Sequence, residues 1–341
     1  MKLKEIVEIC YGKSQKQVEV EKSDIPILGT GGVIGFSSLP LYNDESVLIG
    51  RKGTIGMPFY IDKPFWTIDT LFYTKINKNI VIPKYLYYLL CKAGLDRYSE
   101  GAAIPSLTTK TLNEIELNIH KMPIQQHIVN TIGSVDDLIE KNTQISSKIE
   151  QILFSIYNKK IDNTISFKAS TFFDCFNGGT FKSSDYVDYS KEKLITIKNI
   201  DQNGFSSENA TYFKMNEKYK KYALNVGDVL LTMTGAYLGR VGIVDDFDCY
   251  LNQRVLRIKC ISKSFCYTFL KLNEKRIFNL GRGSAQPNLS LDDFNNMEIH
   301  FDACDVSSFI KYDYLFDELI NYKIKTRKLR QIKQLLLSKY F

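Results

Sequence analysis

Three short stretches carry residue types that perform chemistry in other proteins, and each can be held against the spacing that chemistry demands. Gly29-Thr-Gly-Gly-Val-Ile-Gly35 has the look of a dinucleotide turn. G-x-G-x-x-G starting at Gly29 needs Gly at 34, however, where Ile34 stands, and SSLPLY follows in place of a helix. Gly12-Lys13-Ser14 ends like a phosphate-binding loop, yet the Gly required five residues earlier is Val7. A nuclease centre opening on Pro-Asp fails at once, because no Pro in the chain precedes Asp, and neither an Asn/Asp-Pro-Pro-aromatic motif nor a Gly-x-Ser-x-Gly elbow occurs. His120, His127 and His300 form no pair at metal-ligand spacing, and the seven cysteines contain no C-x-x-C. The sequence therefore predicts no catalytic residue, cofactor or metal: the chain is expected not to be an enzyme.

The remaining chemistry is that of recognition. Base edges are read by Arg, Lys, Asn and Gln, and phosphates by Lys, Arg, hydroxyls and the N–H groups of Gly-rich turns. Candidates for contacting DNA are Lys13, Lys16, Arg51 and Lys52 in the first half, and Lys182, Tyr237, Arg240, Arg282 and Gln286 in the second. Arg51 and Lys52 sit between Gly50 and Gly53, where backbone can approach a nucleic acid closely. The net charge of +7 resides in the last segment, since residues 321–341 hold seven basic residues and no acid. Such a segment is either the solvated face of a terminal helix or a surface that meets nucleic acid or an acidic partner.

With 341 residues and 44% apolar composition, the chain can hold two ordinary folded domains. No apolar run approaches the roughly 18–20 residues of a membrane span, and the charged start MKLKEIVEICYGK is unlike a signal peptide. A cytoplasmic protein with reduced, mostly buried thiols and no membrane partner is expected.

The elements positioning these residues are written twice. GAAIPSLTTKTLNEIEL at 101–117 and GSAQPNLSLDDFNNMEI at 283–299 share six of seventeen positions at a shift of 182 (283 − 101): Gly101/Gly283, Ala103/Ala285, Pro105/Pro287, Leu107/Leu289, Asn113/Asn295 and Glu116/Glu298. ESVLIGRKGTIGMPFYID matches GDVLLTMTGAYLGRVGIVD at the same shift, with Gly53 over Gly235, whereas GFSS recurs at 35–38 and 204–207 at a shift of 169. Thirteen extra residues (182 − 169) are therefore expected in the second copy, around NATYFKMNEKYKKYALNVGD. A basic aromatic loop reading a base or phosphate fits this stretch, although a short helix leading into the turn Asn225–Asp228 is the commoner origin of such a pattern. In each copy strands precede a helix, PKYLYYLLCKAG or FCYTFLKLNEK, the first opening on Pro83.

A long apolar seam follows each copy. Ile128, Val135, Asn142, Ile149 and Ile156 are spaced by seven, with Leu138, Ile145 and Ile152 three residues after members of that series. Leu315, Tyr322, Leu329 and Leu336 repeat the pattern, with Leu319 and Thr326 between them. The predicted fold is thus α/β (α+β): two similar mixed domains, 1–122 and 161–305, and two long helices, 123–160 and 306–341, paired as an antiparallel coiled coil with an internal pseudo-two-fold. In that pairing Asn142 should lie near Thr326 and fix register. A helix of about 35 residues is roughly 50 Å long, of the order of 15 base pairs of duplex. Two modules on such a spacer could read two short words across an unread gap, and because they differ at most candidate positions the two words should differ.

Taken together, ILGTGGVIGFSS, GDVLLTMTGAYLGRVGIV with SVLIGRKGTIGMPFYI, GSAQPNLS and MPIQQHIVNTIGSVDDLIEKN resemble the specificity subunits of Type I restriction-modification systems over essentially the whole chain. The resemblance implies two target recognition domains, each reading half of a bipartite double-stranded DNA site, and two conserved helices that set the spacing. It also implies two modification methyltransferase subunits, which carry S-adenosylmethionine and methylate adenine N6, and restriction/translocase subunits that add ATP-dependent cleavage. The second helix departs from the pattern, opening with DACDVSSFIKYDYLFDELI in place of the entry at Pro123, and the chain is short for the family. Two other readings stand beside this one: a duplicated scaffold without a DNA role, and a silent specificity protein without active partners.

Overall fold

The two most continuous apolar runs become the central strands of two sheets. Ser46–Gly50 is buried at all five positions and Val229–Thr232 at all four, as befits strands covered on both faces. The computed structural model describes residues 1–52, 55–100, 106–159, 166–283, 287–300 and 303–341, with 303–305 followed as backbone only. Gly53, Gly101, Ala103, Pro105, Ala285, the candidate Gln286 and the predicted boundary at 160–161 lie outside the described residues. The chain divides into Met1–Asp137 with Arg330–Phe341, and Leu138–Leu329.

The first unit contains β1 (Val7–Tyr11), β2 (Glu19–Val20), β3 (Ile25–Gly29), β4 (Gly32–Ser37), β5 (Ser46–Gly50), β6 (Phe59–Ile61), β7 (Trp66–Thr67), β8 (Leu71–Ile76) and α1 (Pro83–Lys92); α2 (Met122–Asn158) begins in it. Its sheets run β1-β8-β5-β6 and β2-β4-β3-β7, antiparallel except that β3 is parallel to β7. The second unit contains β9 (Asp174–Asn177), β10 (Tyr186–Val187), β11 (Lys193–Ile195), β12 (Thr211–Phe213), β13 (Val229–Thr232), β14 (Val241–Ile243), β15 (Cys249–Leu251), β16 (Val255–Lys259) and α3 (Lys263–Leu272). Here the sheets run β9-β16-β13-β14 and β10-β12-β11-β15, antiparallel except between β11 and β15. Adding eight to each strand number converts the two four-stranded sheets of one unit into those of the other, and the second unit also contains the two-stranded pairs Ile200–Asp201 with Gly204–Phe205 and Phe167–Lys168 with Glu298–Ile299.

Register corrects one part of the predicted alignment. Pro26 pairs with Phe36 and Lys193 with Tyr212, so Phe36 corresponds to Tyr212 at a shift of 176 (212 − 36). The second Gly-Phe-Ser-Ser is not the counterpart of the first: Gly204–Phe205 pairs with Ile200–Asp201 in a hairpin inserted between β11 and β12. The shift is 167 before this insertion (193 − 26) and 182 at Val47/Val229. The extra length is therefore nine residues before β12 and six after it, not thirteen in one place. Glu217–Tyr222 does form a short 3-10 helix. Its Tyr219 is buried on Phe181, with ring centroids 4.1 Å apart, and its hydroxyl donates to Asp185 at 2.6 Å, while Lys218, Lys220 and Lys221 point outward.

The second long helix, α4 (Asp313–Tyr340), starts later than predicted, after a short helix at Ala303–Ser308 and a 3-10 turn at Ile310–Tyr312. Within each unit the segments of α2 and α4 pack antiparallel. In the first, Asp136 meets Lys333 at 2.7 Å and His127 meets Tyr340 at 3.2 Å; in the second, Glu150 meets Lys323 at 3.3 Å. Ile128, Ile132 and Leu337 join the core beneath α1, and the C-terminal Phe341 ring lies 5.3 Å from that of Tyr85. Burial of such side chains contributes about 1.5–3 kcal/mol each.

The predicted seam is half right. Ile128 and Ile149 are buried, but Leu138, Ile145 and Ile152 are 49%, 36% and 48% exposed. The second buried series lies four residues on, at Ile132, Ser146 and Leu153. A seven-residue period says which positions recur, not whether the companion stripe lies three or four residues away. The Asn142 side chain is half-buried, whereas Thr326 is buried with its Oγ1 unpartnered.

Matching polar groups anchor each domain helix to its long helix. Buried Gln125 accepts the Ile82 N–H at 2.8 Å and donates to Ile80 O and His120 O. At the corresponding place Asp313 accepts Ser264 N–H at 2.9 Å and the Ser262 hydroxyl at 2.7 Å. Asp313 thus performs at α3 the role that Gln125 performs at α1. Among the described residues no helix is long and apolar enough to cross a membrane.

Candidate nucleic-acid interface

In each unit three loops converge where the central strand ends. The chain leaving β1 crosses the loop after β7, and the approach is too close for any side chain: a Cβ on Gly12 would fall 2.0 Å from Ile68 O. Gly178 stands in the same relation to Asn252 O, at 2.1 Å. Gly12 therefore serves a backbone crossing, and not a phosphate loop. The crossing is tied by Lys13 N–H to Thr67 O (2.8 Å) in one unit and Gly179 N–H to Leu251 O (2.9 Å) in the other.

Two further ties recur. Arg51 N–H donates to Thr70 O (2.8 Å) and Leu107 N–H to Arg51 O (2.9 Å); in the second unit Met233 N–H donates to Arg254 O (3.0 Å) and Leu289 N–H to Met233 O (2.8 Å). Single bridges repeat as well, Lys52 with Ser106 and Glu100 with Ser106 against Thr234 with Asn288 and Arg282 with Asn288. The backbone of this junction is common to both copies. Its side chains are not: Lys52 is replaced by Thr234, Asp69 by Gln253, Thr70 by Arg254, Ser106 by Asn288 and Glu100 by Arg282.

The junction gathers some of the candidate residues. Arg51 lies 5.3 Å over the Tyr11 ring and donates to Asp69 O, and Lys52 is exposed beside it. Lys13 is exposed on the crossing strand, with its carbonyl held by the Trp66 indole N–H at 2.9 Å, and Lys16 is exposed three residues on. Arg282 is 81% exposed and meets Asp293 at 2.5 Å. Ser290 and then Arg282 hold the Asp293 carboxyl below the usual carboxylate range. Lys182 is exposed, with its backbone N–H on the Tyr219 hydroxyl. Arg240 is committed to an ion pair with Glu274 at 3.1 Å, which Lys271 shares at 2.7 Å, and Tyr237 lies in the 3-10 turn Gly235–Tyr237.

The sequence reading missed Gln253, Arg254 and Asn288, which line an open cleft of about 450 Å³ together with Thr234 and Ser290. Gln253 Oε1 accepts from the Thr180 hydroxyl at 2.5 Å. The side chains of Arg254 and Asn288 have no partner among the described residues, and Thr234 Oγ1 is buried without one. Extending the duplication to Ile68-Asp69-Thr70 over Asn252-Gln253-Arg254, at a shift of 184 (252 − 68), would have exposed them. Among the described residues no three His, Cys, Asp or Glu side chains gather to hold a metal. Burial pushes the Cys175 and Cys249 thiols up to about 12, far from reactive.

The family described as Type I restriction modification DNA specificity domain matches twice, over residues 1–151 and 162–301. The chain belongs to this family. Both matches coincide with the two structural repeats, so this is a specificity domain present in duplicate. The chain is 34% identical over 87 residues to the Type I restriction enzyme HindI specificity subunit of Haemophilus influenzae, covering 24% of this chain and 19% of that protein. It is 22% identical over 321 residues to the MjaVIII specificity subunit of Methanocaldococcus jannaschii, covering 84% and 70%. Its fold is similar to the crystal structure of the Type-I restriction-modification system S subunit from M. genitalium, with a TM-score of 0.60 and 17% identity over 100% of this chain and 95% of that one.

Proposed function

We infer that this chain is the DNA-specificity subunit of a Type I restriction-modification complex, reading a bipartite, asymmetric duplex target and directing adenine-N6 methylation and ATP-dependent cleavage by partner subunits. The observation that carries the reading is the duplicated specificity domain, whose two copies share one backbone junction and carry different side chains on it. Different donors and acceptors on a common frame read different base edges. The methyl donor and ATP belong to the partners in this reading, and no cofactor is assigned to the chain itself.

A face for those partners is supported by the apolar stripe Leu138, Ile145 and Ile152, which recurs every seven residues along α2 and stays 36–49% exposed. Two modification subunits docked along the long helices would cover it, with restriction/translocase subunits added outside them.

Single-molecule sequencing of N6-methyladenine tests the function in cells that keep the modification subunit and either have or lack this gene. A bipartite methylated motif that disappears with the gene is the expected result. Unchanged methylation, with the modification subunit expressed and active, would instead place the chain among scaffolds or silent specificity proteins. A palindromic motif would contradict the asymmetry.

A further inference from the structure

We propose that Gln253, Arg254 and Asn288 are specificity-determining residues of the second unit, forming a cleft that takes the major-groove edges of purines. The proposal rests on the DNA-reading function above and names the groups that perform it in one of the two domains.

Each of the three side chains grows from a fixed root, and those of Arg254 and Asn288 have no partner among the described residues. Arg254 is held through its carbonyl by Met233 N–H and through its own N–H by Asn252 Oδ1 at 3.2 Å. Its guanidinium is exposed and makes no ion pair among the described residues. Asn288 is pinned on both sides by its bridges to Thr234 and Arg282, yet its amide has no partner among the described residues. Gln253 is oriented by Thr180 at its Oε1, which leaves the amide N–H pair free and one oxygen lone pair open. Among the described residues no carboxylate lines the cleft, and the nearby Asp293 is taken up by Ser290 and Arg282.

This set of groups fits the hydrogen-bond code of purines. A guanidinium fork matches guanine O6 and N7, and a carboxamide matches adenine N6 and N7. A surface that gripped phosphate alone would need cations, and it would have no use for two carboxamides on rigid roots. The copy in the first unit supports the same conclusion by contrast. Asp69, Thr70 and Ser106 occupy the three positions, and the cations move to the strand exit at Arg51 and Lys52. The half-site read there must differ.

The test is binding selection from a randomised duplex library, using the full chain in complex with its modification subunit. Wild type should return two half-sites. Arg254→Ala should erase a guanine preference at one position of one half-site by about 5- to 150-fold, the range that corresponds to loss of one bidentate contact. Gln253→Ala and Asn288→Ala should relax an adenine preference in the same half-site, and the other half-site should stay as it was. Arg254→Lys keeps the charge and loses the planar fork, so it should retain affinity for DNA in general while weakening the guanine preference less than Arg254→Ala does. If wild type returns two half-sites and these variants keep every base preference, or weaken all sequences alike, the cleft does not read bases. A wild-type complex that selects no motif overturns the function and this inference together.

Discussion

Both units hold the domain helix to the long helix through a tyrosine on a carboxylate, Tyr88 on Asp136 and Tyr267 on Glu150, but beyond that shared tie the first unit is seated by a neutral amide and the second by a lattice of charges. In the first, Gln125 satisfies three backbone groups around the start of α1. In the second, Asp313 performs that service, and about four turns further along α4 comes a contact without a counterpart. Arg327 donates through Nε and Nη2 to Asp245 O at 3.1 and 2.9 Å, and its Nη1 lies 3.0 Å from Asp246 Oδ1. Asp246 also holds Lys193 at 2.9 Å and the Ser207 hydroxyl at 2.6 Å. The matching position on α2 is Ile139 (327 − 188, using the offset of Gln125 and Asp313), which can make no such bond. Ser207 and Lys193 belong to the inserted segment and its flank. The added hairpin of the second unit thus came with its own tie to the helix. Backbone ties set the fold of both units alike, matching contacts attach each to its long helix, and the second unit adds a charge lattice of its own.

The largest test of what the units share is the crossing glycine. Gly12→Ala and Gly178→Ala each place a methyl about 2 Å from a carbonyl oxygen, and each should cost more than about 4 kcal/mol, in the exceptional class for single changes. Trp66 is the only tryptophan and lies in the first unit, so its fluorescence separates the two cases. Gly12→Ala should shift the fluorescence transition in urea, and Gly178→Ala should shift only part of the circular dichroism. Gly31→Ala, with nothing within 4 Å of the new Cβ, should shift neither. Equal fluorescence shifts from Gly12→Ala and Gly178→Ala would mean that the units unfold as one.

Next in size is the charge lattice. The side chains of Arg327, Asp245 and Asp246 are 11%, 12% and 7% exposed, so Arg327→Ala leaves buried carboxylates short of a partner and should cost about 3 kcal/mol, confined to the dichroism. Its pH dependence has a definite sign. Burial pushes the Asp246 carboxyl up, but the bonds from Ser207 and Lys193 outweigh it, with the Arg327 charge adding to them, and the net displacement is downward. A depressed carboxylate stabilises the fold fully above its unfolded value, near pH 4, and loses that contribution as pH falls through the folded value. The gap between wild type and Arg327→Ala should therefore narrow below about pH 4. A gap that widens on acidification would show that Asp246 is not held as an anion by this lattice.

Gln125→Ala is the neutral counterpart. It strips the Ile82 N–H and two carbonyls of their partner inside the first unit, and about 2 kcal/mol should be lost. This loss should appear in the Trp66 signal and be independent of pH between 4 and 8, because no titrating group takes part in the contact. Gln125→Glu sharpens the comparison, since it offers an anion where Asp313 offers one but has no N–H to give Ile80 O and His120 O.

Much of this was legible in the sequence because it depends on period and repetition. The duplication, the two domain helices and the antiparallel return of the C-terminus follow from repeated strings, from Pro83 and from a seven-residue spacing. Three things did not follow. GFSS recurs at 204–207 as a local string, and only the pairing of Lys193 with Tyr212 shows that it belongs to an insertion. The seam at Leu138, Ile145 and Ile152 has the right period and the wrong face. The cleft residues Gln253, Arg254 and Asn288 come from loops 34 residues apart (288 − 254), and what joins them is a pair of backbone hydrogen bonds through Met233, donated to Arg254 O and accepted from Leu289 N–H, which no side-chain pattern encodes. Asp313 replaces Gln125 without sharing its surrounding motif, so the second helix looked degenerate in sequence while its anchor was intact.

The smallest effect decides the one polar position proposed to set register between the long helices. A paired Asn142 and Thr326 would cost stability when either was made apolar, because the partner would be left buried and alone. The geometry argues the other way. Thr326 Oγ1 is buried without a hydrogen-bond partner among the described residues, and Asn142 keeps part of its side chain in water. Thr326→Val exchanges that hydroxyl for a methyl of the same shape, so it should raise stability by about 0.5–1 kcal/mol, seen as a small upward shift of the dichroism midpoint in urea. A shift downward, together with coupling to Asn142→Ala in a double-mutant cycle, would restore the register pair. Without that coupling, the antiparallel alignment is set within each unit by the contacts of Asp136 with Lys333 and of Glu150 with Lys323, beside the apolar packing, and the hydroxyl is a residual cost that the helix tolerates.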